Sequence, residues 1–165
     1  MASMSFSLQV WAIIAKTNSN LDLVTRAITM KVDSRVVTRS PIGDAKYWKH
    51  KPPPGYTGGR FRANWQLSIG SPTAGVRDLI DKDGSATIAA HGSVISNAKA
   101  GDVIYLVNNL PYARRIEEGW SRQAPVGVVA LTVVEFRTIV DDAVNGVRNG
   151  TTASEFAQGY STYKL

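Results

Sequence analysis

The sequence predicts a fold of mixed α and β class, on three observations. Leu21, Val24, Ile28, Val32 and Val36 recur at three- and four-residue steps, the apolar stripe of an amphipathic helix. Phe61, Ala63, Trp65, Leu67 and Ile69 alternate strictly with Arg62, Asn64, Gln66 and Ser68, which is the period of a strand with one buried and one polar face. Val133, Phe136, Val140, Ala143 and Val147 then return to the helical spacing.

Each element has local punctuation. Ser19-Asn20-Leu21-Asp22 reads as a helix start, a hydroxyl at the cap and a carboxylate three residues on, so a helix is expected over about 20–38. Pro41 ends it, because the residue before a proline is pushed out of the helical region. Residues 40–60 hold four prolines, four glycines and three aromatics with no surviving periodicity, and form a long loop. Loops of this length inside a compact domain are usually functional or mobile. The strand over 61–69 follows, closed by Gly70-Ser71-Pro72.

Further along, Asp83-Gly84 marks a turn before a small-residue helix over Ala86 to Ala98. Val103 to Val107 is a short continuous apolar run and reads as a buried strand. Asn109-Leu110-Pro111 opens a short helix, with Pro111 at a first helical position and Gly119 placed to end it. The last long helix is expected over about 127–148, stopped by Asn149-Gly150. A weak capping box, Thr152 to Glu155, and a tail from Gly159 complete the chain. The organisation is a single domain over 1–150, with the loop 40–60 inserted in it, and a C-terminal tail or arm over 151–165.

Composition narrows the chemistry. The chain has 165 residues, 44% hydrophobic and 19% charged, which suits one globular domain. It has no cysteine, which excludes disulfide frameworks, thiol nucleophiles and Cys-ligated zinc. No apolar run reaches the length of a membrane helix, and the short patch Val10 to Ala15 lacks the preceding charge of a signal peptide. The net charge of +6 is local: Lys46, Lys49, Lys51, Arg60 and Arg62 fall in one acid-free stretch. Pro125 to Leu165 carries three cations against four acids.

No enzymatic constellation emerges. His50 and His91 have no acid at triad or metal-ligand spacing, and each is expected to face solvent. Asp81-Lys82-Asp83-Gly84 lacks the third Asx and the terminal Glu of a calcium loop and reads as a turn. Adjacent Glu117 and Glu118 would point in different directions from a helix and make a poor acid/base pair. No catalytic residue, metal or cofactor is expected, and the chain is read as a non-enzyme.

Two clusters have the composition of binding surfaces. The cations of the loop could contact phosphates while Tyr47, Trp48 and Tyr56 stack on bases, but aromatics and Arg are equally favoured at protein interfaces. A protein partner is the preferred reading, and a small basic DNA-binding protein using loop 46–62 the alternative. Tyr112, Arg114, Arg115, Glu117, Glu118, Trp120 and Arg122 form the second cluster, whose ion pairs belong either to a subunit boundary or to an ordinary surface.

Two segments resemble a known family. Ser40-Pro41-Ile42 followed by Gly58-Gly59-Arg60-Phe61-Arg62-Ala63-Asn64-Trp65 is similar to the "TPVDTGRLRxxW" signature of minor tail, or tail-completion, proteins of long-tailed bacteriophages. Asn108-Asn109-Leu110-Pro111-Tyr112-Ala113, then Ile116 to Ser121 and Gln123 to Gly127, resembles that family's second signature, "NxxPYAxxLExGxSxQAPxGxV". The resemblance spans about residues 6–148. It departs at Gly43 to Thr57, which replaces a short Asp-Thr link.

The resemblance implies an α+β subunit, a small antiparallel sheet packed against a long helix in the N-terminal half and a C-terminal helix. It also implies a structural virion protein of the neck that forms a ring with itself, six-fold to match the tail. Such a ring completes the tail end, contacts neighbouring neck and tail proteins, and lets DNA pass without specific reading. A tail terminator capping the tube is the alternative within the virion. Localisation would be the virion, after assembly in the host cytoplasm, with no membrane partner. Tyr47, Trp48, Tyr56, Arg60, Arg62, Tyr112, Arg114, Glu117, Trp120 and Arg122 are the expected subunit or partner contacts, and Trp65 the expected core anchor.

Overall fold

The computed structural model describes residues 6–47 and 50–151. Helix α1 (Phe6–Arg39) has 34 residues and is therefore about 51 Å long. A 3₁₀ turn (Ala45–Tyr47) and a one-turn helix α2 (Arg60–Ala63) lead into strand β1 (Trp65–Ile69). Helix α3 (Ser85–Ile95), strand β2 (Ile104–Asn108), helix α4 (Ala113–Glu117), helix α5 (Val129–Val134) and helix α6 (Phe136–Arg148) follow. The class is α+β: β1 and β2 pair antiparallel, from Trp65 opposite Asn108 to Ile69 opposite Ile104, α3 packs on β1, and α1 packs against α3, α5 and α6.

A two-stranded ribbon is marginal alone, so the core forms where α1 crosses it. Val36, Val37, Phe61, Trp65, Leu110, Ala124 and Val128 are buried together there, flanked by Val32, Ile88, Leu106, Ala113 and Ile116. Trp65 is 5% exposed; its ring meets Phe61 edge-on at 5.9 Å, and its indole N–H donates to Ser40 Oγ at 2.7 Å. Helix α6 runs antiparallel to α1, fixed by Lys31–Asp142 at one end and by Arg35 and Arg39 on the Glu135 carboxylate at the other.

Several expectations are corrected. Helix α1 does not start at Ser19 but runs through it from Phe6. The apolar stripe begins near residue 20 because only from there does the helix have neighbours: Asp22 accepts from the Ala100 N–H and Arg26 donates to the Ala98 carbonyl, whereas residues 12–21 are all exposed. The strand starts at Trp65, not Phe61. Gly59 accepts from the Ala63 N–H and Asn64 folds its amide back to the Arg60 carbonyl, closing a helical turn over residues whose alternation suggests a strand.

The polar face of β1 is not solvated either. Asn64 (0% exposed) and Gln66 (4%) are covered by residues 75–77, Asn64 exchanging two hydrogen bonds with the Arg77 backbone and Gln66 donating to the Gly75 carbonyl. Strand β2 is half-buried along its length, not fully buried, because a two-stranded sheet leaves it as an edge. The expected helix over 127–148 is two helices broken at Glu135, and its buried stripe is Thr132, Ile139 and Ala143; Val133 and Phe136 point to solvent. The capping box at Thr152–Glu155 and the tail lie outside the described residues.

Three glycines, Gly59, Gly119 and Gly127, combine a positive φ with backbone less than 3 Å from where a Cβ would sit. Gly59 has φ +103°, and a Cβ on it would lie 2.7 Å from the Asp81 carbonyl carbon. Gly127 has φ +81°, and its Cβ would lie 2.6 Å from the Glu117 carbonyl oxygen.

Candidate functional site

The two signature-like segments interlock. Ile42 accepts from the Gly59 N–H at 2.6 Å, so the chain leaves the domain at residue 43 and returns to the same point by residue 58. Asn108 Nδ2 donates to the Phe61 carbonyl, and Phe61 and Tyr112 stack obliquely at 6.1 Å. The Gly43 N–H donates to Gln123 Oε1 at 3.1 Å, tying the loop's start to the second segment. Between them lies an apolar concavity of about 760 Å³, walled by Ile42, Pro53, Tyr56, Phe61, Leu110 and Tyr112, with Arg60 at its rim. That volume falls within the range of ordinary ligand pockets. Loss of solvent raises both the Tyr112 and the Tyr56 hydroxyls above the usual tyrosine range, so both are neutral donors at physiological pH.

Of the expected contact residues, Tyr56, Arg60 and Tyr112 come together in this pocket. Tyr47, Trp120 and Arg122 meet in an adjoining smaller cleft that shares Gly43 and Ser121 with it. Tyr47 carries the Lys46 ammonium 4.9 Å above its ring, and Trp120, 73% exposed, is covered on one side only by the Arg115 guanidinium at 5.2 Å. Arg114 makes an exposed i,i+4 pair with Glu118. Trp48 lies outside the described residues.

Two of the expected contacts are used inside the fold. Arg62 turns inward and donates to the carbonyls of Thr38, Ser40 and Lys82, closing the C-terminal end of α1 against α2. Glu117 accepts from the backbone N–H groups of Val128, Val129 and Ala130, so a carboxylate at the end of α4 caps the start of α5. Burial pushes the Glu117 carboxyl up, but these three hydrogen bonds outweigh it and its pKa falls below the ordinary value. Glu117→Ala should cost about 1–2 kcal/mol at neutral pH by urea denaturation, the range for losing a helix cap.

The pH dependence follows from the sign of that shift. A carboxyl titrating lower when folded adds stability that is present above the ordinary glutamate value and lost as pH falls through the folded one. Glu135 behaves in the same sense, lowered mainly by its hydrogen bond from Arg39. The Glu117→Ala penalty should therefore shrink on acidification below about pH 4.5.

His91 overturns the expectation of a solvent-facing residue. It is 3% exposed, with Nδ1 at 2.8 Å from Asp33 Oδ1 and Nε2 at 3.1 Å from the Trp65 carbonyl oxygen. The acid lies 58 residues away on α1, too far in sequence for spacing to reveal it. Both ring nitrogens are occupied and enclosed, so the pair is a tie between α1, α3 and β1. Asp81 caps α3 through the Gly84 and Thr87 N–H groups, as a turn residue does. Among the described residues no group of three His, Asp or Glu could hold a metal ion, and no helix is long and apolar enough to cross a membrane. Comparison with family models, curated proteins and solved structures gives no match for this chain.

Proposed function

We propose that this chain is a structural subunit of the head–tail junction of a long-tailed bacteriophage, acting as a ring that completes the tail end and helps to join it to the capsid. The observation that carries the reading is the interlocking of the two signature-like segments around one pocket. Residues far apart in sequence, Ile42 with Gly59, Gly43 with Gln123, and Phe61 with Asn108 and Tyr112, meet in one framework. The Ile42–Gly59 bond also accounts for the long departure at 43–57: an insertion that leaves and returns at one point need not disturb the strand and helix beside it.

The DNA-binding alternative is weakened by the fate of its cations. Arg62 is committed to three backbone carbonyls and Lys46 pairs with Asp44 at 2.9 Å. A protein surface with aromatic anchors and a concave pocket fits what remains. Cryo-EM of purified virions focused on the neck tests the proposal. Density for this chain as a closed ring between capsid and tail tube is the expected result; its absence from virions would overturn it.

A further inference from the structure

Besides Val76, Leu79 and Ile80, the described residues expose two apolar surfaces, and these two lie at opposite ends of α1. One is the projecting start of the helix, where residues 12–21 are all exposed and Ile13, Ile14 and Leu21 are 65%, 43% and 49% exposed. The other is the outer face of α5 and the start of α6, where Val126, Val129, Leu131, Val133, Val134 and Phe136 are 38–82% exposed. Residues 126–134 contain no charged side chain, and residues 6–21 contain one, Lys16. Depletion of charge with exposed aliphatic side chains is the composition of an interface core.

Within one copy these surfaces cannot meet. Glu135, next to the α5 face, is bound by Arg35 and Arg39 near the far end of α1. Ile13 precedes Arg35 by 22 residues, about 33 Å along the helix. We infer that the projecting start of α1 in one copy packs on the outer face of α5 in the next copy. Two different surfaces joined in this way make a heterologous contact, which closes into a ring when the rotation per subunit permits. The inference rests on the ring reading above and names the contact through which the ring forms.

The absence of cysteine makes the contact directly testable in the full-length chain. Disulfides require Cα atoms within about 7 Å, so an Ile13→Cys and Val133→Cys pair can be bridged only between copies. The double variant, treated with a mild oxidant, should give a ladder of covalent multiples. Mixing the two single variants should give a covalent dimer containing one of each. Val133→Asp should raise the dissociation constant at least tenfold while leaving the circular dichroism spectrum and melting temperature unchanged. Oligomers that form by light scattering without the mixed cross-link would overturn this contact and leave the ring reading standing. A chain that stays monomeric and uncross-linked at high concentration would also overturn it, and virion cryo-EM would then judge the ring reading separately.

Discussion

Trp65→Ala is expected to destabilise the domain by about 3–5 kcal/mol, the range for truncating a buried large aromatic. The ring is 5% exposed and stands where α1, α2 and the ribbon converge, edge-on to Phe61 and beside Val36 and Val37. Its removal would leave a cavity bounded by regular elements that cannot collapse without breaking their own hydrogen bonds. Truncation would also strip Ser40 Oγ of its 2.7 Å partner in a buried site. Trp65→Phe separates the two effects. It retains most of the apolar volume and loses the indole donor while Ser40 Oγ keeps its bond to the Val36 carbonyl, so it should cost about 0.5–1.5 kcal/mol, the net worth of one hydrogen bond. Urea denaturation of both variants measures the difference. A Trp65→Ala protein that unfolds at the wild-type midpoint would remove Trp65 from its place in the core.

The fold is legible in the sequence where local pattern and tertiary burial coincide. Val36 is buried within the stripe expected for α1, and Trp65 and Leu67 are buried on the expected face of β1. Gly119 and Gly150, at φ +83° and +81°, follow helix ends as their positions predict. Pattern fails where burial depends on partners distant in sequence. Asp33, Asn64, Gln66 and His91 are all buried, and no hydrophobic periodicity can mark them because each is compensated by a specific hydrogen bond. The same limit applies to the candidate site. Aromatic and Arg-rich composition singles out Tyr56, Arg60 and Tyr112, but not that they share one pocket, nor that Arg62 and Glu117 are consumed by helix ends. The exposed valines of α5 carry the spacing of a buried stripe, because an unpartnered apolar face and a core face look alike in sequence.

The Asp33–His91 tie should be the other large effect. Asp33 is 0% exposed, and its Oδ2 has no hydrogen-bond partner among the described residues, so nearly all of its compensation comes through Oδ1 and His91. The ring nitrogens face two oxygens, one on Asp33 and one on the Trp65 backbone. Both contacts are satisfied only if each holds a proton, either with both on the ring beside an ionised Asp33 or with one kept by the carboxyl. Removing one partner leaves a buried polar or charged group uncompensated, so His91→Ala should cost about 3–5 kcal/mol. Replacing both by Leu should be milder than the sum of the two single changes, because the orphaned group disappears with its partner. Burial raises the Asp33 carboxyl above its ordinary value, and the His91 hydrogen bond and charge recover only part of that. A carboxyl raised on folding adds stability that is full below the ordinary aspartate value and lost as pH rises through the folded one. Asp33→Asn tests this directly: its amide can donate to Nδ1 while the Nε2–H still reaches Trp65, with no carboxyl to ionise. The Asp33→Asn protein should be more stable than the Asp33→Ala protein, and its stability should decline less than wild type as pH rises from acid to neutral. If the two curves run parallel across that range, the Asp33 carboxyl is not carrying the cost of its burial.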